Sequence, residues 1–206
     1  MGQRDQYHHG NLREALVDAA TRLIGERGLS GFAFAELARA AGVSPAAPYR
    51  HFRDRGALLA ELARRGFDQM TDALAHAWNG GLPEPVVAIE RCGRAILAFA
   101  RANPAAYATM FDTSPADPDL ALKASADGAF AVVRQAADAA CLAATVRPRP
   151  PAGMVALHIW AFCHGHAALF LGPPSATRRS LPMPAEDLLE AGLLVYLRSL
   201  GLAPIT

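Results

Sequence analysis

The chain has 206 residues, just over half of them apolar, and a net charge of +1. That length is enough for one sizeable core, or for a small module joined to a larger domain. No apolar run approaches the ~18–20 residues that span a bilayer, and the polar opening "MGQRDQYHHGNLRE" has no signal-peptide core, so a cytoplasmic protein is expected. Leu and Ala dominate, β-branched residues are sparse and no stretch alternates with period two, which predicts an all-α fold.

In chain order, Asn11 can cap a first helix with Leu12, Ala15, Leu16, Ala19, Leu23 and Ile24 on one face and Gly28 as its stop. "FAFAELARAAG" predicts a short second helix with Phe34, Leu37, Ala38 and Ala41 inward, ended by Gly42. "VSPAAPYRHF" follows. Asp54 is a good cap for a long amphipathic helix to about Trp78, and "NGGLPEP" breaks it. Further helices are predicted over 84–102, 104–112, 117–144 and 151–171. "GPPSATRRSLPMP" reads as a surface linker, and a last helix runs from near Pro184 to Gly201. This predicts a small head, residues 1–53 with an arm at 1–10, and a larger helical body over 54–206. Residues 1–65 carry ten Arg against seven acids, a net of +3, and the remainder nets −2. A basic head is compatible with a nucleic-acid partner.

"ELARAAGVSPAAPYRHF" has the anatomy of a helix-turn-helix. Small residues on the first helix admit a close neighbour, Gly42 supplies the turn, and Ser44 caps a second helix narrow enough for the major groove. Pro45 falls at the first helical position, where a missing N–H costs nothing. Pro48 falls at the fourth and disfavours α geometry at Ala47. The expectation is therefore a helix with a displaced first turn over 44–47, helical from Pro48 onward. Tyr49, Arg50 and His51 then share a rim whose donors suit phosphate oxygens, Arg55 adjoins it, and Phe52 turns into the core.

These residues carry a resemblance. "GLSGFAFAELARAAGVSPAAPYRHFRDRGALL" resembles the DNA-binding head of the tetracycline-repressor (TetR) family of bacterial regulators. The opening "YHHGNLREAL" is similar to the start of one branch, and "IWAFCHGHAALF" resembles that branch's Trp-x-x-x-His-Gly signature at Trp160, His164 and Gly165. The resemblance implies an all-α homodimer that binds double-stranded operator DNA and releases it when a small molecule enters each body. Tyr49 and His51 match the family's phosphate-contacting pair, and Arg55 stands where a lysine commonly touches the backbone. Ser44, Pro45, Ala46 and Ala47 occupy positions facing base edges, so readout should lean on thymine methyls and DNA shape. Arg50 is available for a base or phosphate. Ala33 and Ala35 stand where a capping Ser or Thr and a DNA-contacting Arg are frequent. The arm, with Arg4, Tyr7, His8 and His9, is the available substitute; a tail making no contact is the alternative.

In the body, 154–171 is apolar around most of its circumference, and 188–200 carries a matching stripe, together suiting an intersubunit four-helix bundle. Trp160 and His164, one turn apart, are read as a pocket wall for an apolar effector. Phe99, Tyr107, Met110, Phe111 and Phe130 are the other large residues available to line it, plain core being the alternative. The scattered Cys92, Cys141 and Cys163 read as reduced, buried thiols. Cys163 and His166 stand three apart, leaving a metal- or thiol-responsive regulator as an alternative function and a small helical enzyme as a third. No carboxylate accompanies the histidines and there is no Gly-rich phosphate loop, so no catalytic residue, resident metal or cofactor is expected, and no membrane partner.

Overall fold

A computed structural model of the protein describes residues 9–112, 119–171 and 183–204. Every element among them is helical: α1 (His9–Arg27), α2 (Phe34–Ala40), a 3-10 turn (Pro48–Arg50), α3 (Arg55–Trp78), a second 3-10 turn (Asn79–Gly81), α4 (Pro85–Ala102), α5 (Pro104–Asp112), α6 (Leu120–Ala143), α7 (Ala152–His166), a π-helical segment (Ala167–Leu171) and α8 (Ala185–Ser199). Asn11 lies within α1, whose described residues run from His9, rather than ahead of it as a cap position. The predicted stops hold, because Gly28, Gly42 and Gly201 all take positive φ, a conformation in which a side chain is strained. Asp54 caps α3, its carboxylate accepting the Ala57 N–H at 2.8 Å. At the start of α2 the Ala33 N–H donates to the Glu36 carboxylate at 3.0 Å. Alanine has no oxygen to return that bond, so half of a capping box is present.

The chain divides into two compact units. One comprises Met1–Gly66 with Ala105–Lys123, the other Phe67–Pro104 with Ala124–Thr206. The first is built on Leu16, Leu23, Phe32, Phe34, Leu37, Phe52, Leu58 and Leu62, all buried. Each such side chain removed from water stabilises by about 1.5–3 kcal/mol. Gly66 packs closely under Met110, where a Cβ would lie 2.7 Å from the sulfur and would push that flexible side chain aside.

In the second unit α4 packs against α7 and α8 around Ile89, Leu97, Ile159, Leu189, Leu193 and Leu197, none more than 1% exposed. Salt bridges from Arg94 to Glu190 and from Arg101 to Glu186 (2.6 Å) border the α4–α8 contact. Cys92, Cys141 and Cys163 are free and buried. One sequence reading is corrected here. Ala152–Leu171 spans 20 helical residues with a window of mean hydropathy 1.5, long and apolar enough to cross a membrane, and only 28% of that window is buried. Its three histidines interrupt the apolar run without lowering the average enough to fall short of that hydropathy.

Candidate nucleic-acid interface

α2 ends on a Schellman-type cap, with Gly42 N–H donating to Arg39 O at 3.1 Å and Val43 N–H to Ala38 O at 2.9 Å. The chain does not re-enter an α-helix. Ala47 N–H donates to Ser44 O at 3.0 Å, closing one turn, and a 3-10 turn follows at once. Arg50 N–H reaches Ala47 O at 3.2 Å, His51 N–H reaches Pro48 O at 3.0 Å, and Phe52 N–H reaches the same carbonyl at 2.9 Å. In an α-helix the Ser44 carbonyl would await the N–H that Pro48 lacks; here Ala47 satisfies it instead.

The expected departure over 44–47 is therefore present, with two corrections. The element past Pro48 is a 3-10 turn rather than an α-helix, and Ala47 keeps α dihedrals, φ −64° and ψ −41°, despite preceding a proline. The hydrogen-bond register changed rather than the Ala47 backbone.

Ser44, Pro45, Ala46, Tyr49 and Arg50 are exposed, and His51 is half-buried. Ala47 differs from its expected place at the base edges: it is 9% exposed and buried beneath the turn beside Pro48. Tyr49 stands 61% exposed with its ring edge against Phe34, centroids 4.9 Å apart. Phe52 faces the core as expected, and the Arg13 guanidinium lies 5.1 Å over its ring. Arg55 opens α3 with its guanidinium 5.1 Å over the Phe32 ring, its Nε and Nη2 buried without a hydrogen-bond partner. Arg4, Tyr7 and His8 lie outside the described residues, as does the side chain of His9.

Arg13, which covers Phe52, also belongs to a charged cluster that sequence spacing only half reveals. Glu61 accepts hydrogen bonds from Arg13 at 2.7 Å, Arg64 at 3.1 Å and Arg65 at 2.7 Å. Arg65 also grips Glu14 with both terminal nitrogens, at 2.5 and 2.7 Å. Burial opposes ionisation of Glu61, but the three guanidiniums outweigh it and hold the carboxyl at about 2. The unfolded value is 4.5, so this contribution to stability is complete above that pH and is lost as pH falls toward 2. Between those limits the protein is expected to lose on the order of 2–3 kcal/mol more than Glu61→Gln. Denaturant unfolding across the acid range measures it, and parallel profiles would refute it.

The candidate effector residues divide between the units. Tyr107, Met110 and Phe111 belong to the first, where Tyr107 and Met110 are buried and the Tyr107 and Phe111 rings pack 4.9 Å apart. Phe99, Phe130, Trp160 and His164 belong to the second. Phe99 is buried, Phe130 meets Trp160 edge-on at 5.8 Å, and burial pushes the half-buried His164 imidazole below its ordinary range. Cys163 is fully buried, its thiol pushed up to about 12 by that burial, and His166 Nδ1–H donates to the Phe162 carbonyl of its own helix at 2.8 Å. The described residues contain no group of three His, Cys, Asp or Glu placed to hold a metal.

α7 and α8 present a second surface. Leu157, Leu169 and Val195 are each more than half exposed, and a groove of about 730 Å³ runs between the helices, lined by Phe162, Phe170, Leu188, Val195 and others. Gly192 lets the Phe162 ring lie on α8, where a Cβ would be 3.0 Å away, and His158 hydrogen-bonds the Tyr196 hydroxyl at 2.8 Å.

Comparison with known proteins agrees with this geometry. The family model described as the tetracyclin repressor-like C-terminal domain matches residues 89–195, and that of bacterial regulatory proteins of the tetR family matches residues 16–62. Over 60 residues the chain is 42% identical to the HTH-type transcriptional regulator BetI of Rhizobium meliloti, a match covering 29% of this chain and 30% of that protein. The chain thus spans about a third of the length of the curated relatives it matches. Over nearly the whole length it is 30% identical to a structure of unknown function from Rhodococcus sp. RHA1, with TM-score 0.79, covering 96% of this chain and 99% of that one. PfmR of Thermus thermophilus, a TetR family transcriptional regulator, shares the fold at 22% identity and TM-score 0.69, over 89% and 97% of the two chains.

Proposed function

The chain belongs to the TetR family of bacterial regulatory proteins, and we propose that it is a cytoplasmic, homodimeric repressor that leaves its operator when a small apolar effector binds. Residues 1–53 are the DNA-binding domain and 54–206 the ligand-binding and dimerisation domain, of the branch carrying Trp160, His164 and Gly165. The observation that carries the DNA reading is the turn after α2, which holds Ser44, Pro45, Ala46, Tyr49 and Arg50 outward over buried Ala47, Pro48 and Phe52. Tyr49, His51 and Arg55 are assigned to phosphates, the exposed small residues to base edges and Arg50 to either. Trp160, His164, Phe99 and Phe130 are assigned to the effector, and for Tyr107, Met110 and Phe111 the plain-core alternative is taken.

The apolar α7–α8 face is assigned to a second copy rather than to lipid, because imidazoles at 158, 164 and 166 and a His158–Tyr196 hydrogen bond suit a protein interface better than hydrocarbon. A dimer of this kind reads a near-palindrome with one head per half-site. Burial of Cys163 speaks against a thiol sensor, since a protonated, inaccessible sulfur is a poor nucleophile.

Selection of genomic fragments by the purified protein tests the reading. Enriched DNA should bind with an affinity that falls steeply with salt, and enrichment of nothing would overturn the proposal. Tyr49→Phe should weaken every bound sequence alike, by about 3- to 10-fold, as loss of one phosphate hydrogen bond does. An effect confined to one sequence would remove Tyr49 from the phosphate contacts.

A further inference from the structure

Arg13 lies far from the recognition turn in sequence and outside it in space, yet one line of contacts joins them. Glu61, whose side chain is only 10% exposed, accepts from Arg13 Nη1 at 2.7 Å. The same guanidinium covers the ring of Phe52 at 5.1 Å. Phe52 in turn donates its N–H to Pro48 O at 2.9 Å, the bond that closes the turn carrying Tyr49 and Arg50. Phe52 is 4% exposed, buried in the core of the first unit with the Arg13 guanidinium over its ring.

Glu61 is itself fixed. It accepts from Arg64 at 3.1 Å and Arg65 at 2.7 Å, both one turn further along α3, and Arg65 is tied to Glu14 on α1. Arg13 and Glu14 are neighbours, so α1 is held to α3 by two guanidinium–carboxylate links rather than one. A planar guanidinium suits both tasks here, a hydrogen bond in its plane and an aromatic face beneath it.

We propose that Arg13, anchored by Glu61, is a positioning residue for operator recognition: it holds Phe52 down and thereby sets where the Pro48–Phe52 turn places Tyr49 and Arg50. This rests on the reading of that turn as the DNA-contacting element. Neither Arg13 nor Glu61 belongs to the contact set itself, and Glu61 as an anion could not contact a phosphate. That property separates a positioning role from a direct one.

The test uses the full-length protein, a duplex enriched by the wild type from genomic DNA, and a scrambled duplex of equal length. Arg13→Met and Glu61→Ala should each weaken the enriched duplex by about 10-fold and the scrambled one by no more than about 3-fold, the share carried by the Tyr49 phosphate contact. Arg13→Lys, which keeps the charge but not the planar fork, should recover part of the loss on the enriched duplex. A variant that merely unfolds would lower both affinities together and spoil the recovery by lysine.

Binding of the enriched duplex within about 2-fold of wild type by both variants would overturn the inference. So would equal losses on the two duplexes for Arg13→Met with none for Glu61→Ala, an outcome that makes Arg13 a direct phosphate contact and lowers the salt slope by about one. If the wild type enriches no duplex, the DNA reading falls first and the inference with it.

Discussion

Val195→Glu is expected to convert dimers to monomers and to weaken operator binding by at least about 100-fold. Val195 is 68% exposed on α8 and lines the groove between α7 and α8. In a two-fold interface each substitution appears twice, so two carboxylates would be buried against largely apolar surface with no Arg or Lys among the described groove-lining residues. An unpaired buried charge costs several kcal/mol, more than a typical interface residue contributes. Because the residue is exposed within the single chain, the helices themselves should form. Sedimentation or light scattering reads the mass, and binding to the enriched duplex reads the consequence. A dimer of wild-type affinity would show that this face does not join the subunits.

Ala47→Glu carries the second large effect, for a reason different from the one sequence spacing suggests. Read from spacing alone, Ala47 faces the DNA, and a carboxylate there repels phosphate. In the structure Ala47 is buried, with Pro48 buried beside it and Phe52 behind. A glutamate must either take its charge into the core of the first unit or push the turn outward, and both cost several kcal/mol. Operator binding should fall by at least about 100-fold, accompanied by a lower unfolding temperature for the protein. Ala47→Ser is the informative partner, since it adds a small polar group without charge and should lose far less. Full thermal stability in Ala47→Glu would place the side chain on the surface after all.

The helices were legible because their signals are local. Leu16, Ala19, Leu23 and Ile24 recur at helical spacing, Gly28 and Gly42 stop their helices through backbone freedom, and Asp54 caps α3 through a bond three residues away. The recognition turn was legible in part. Two prolines foretell a disturbed first turn, but the choice between a loosened α-helix and a 3-10 turn rests on bonds whose energies differ little.

Three things were beyond the spacing rules. Glu61 with Arg64 and Arg65 falls at helical intervals, whereas Arg13 is 48 residues away and joins only through the tertiary fold. The burial of Ala47 depends on the turn lying flat on its core. α7 is apolar on every side, so no periodicity says which face is buried and which meets another surface.

The turn over 44–52 has a consequence for how readily its target can be changed. Its backbone is stiffened by Pro45 and Pro48 and pinned from below by Ala47, Pro48 and Phe52, so its ordering entropy is spent when the chain folds and not when a ligand meets it. Shape and outward chemistry are therefore carried by different residues. Ser44, Ala46 and Arg50 can be exchanged on a scaffold that does not depend on their side chains, whereas Tyr49 also packs on Phe34. That makes this segment a natural place to graft new sequence preferences, with little stability lost at each step.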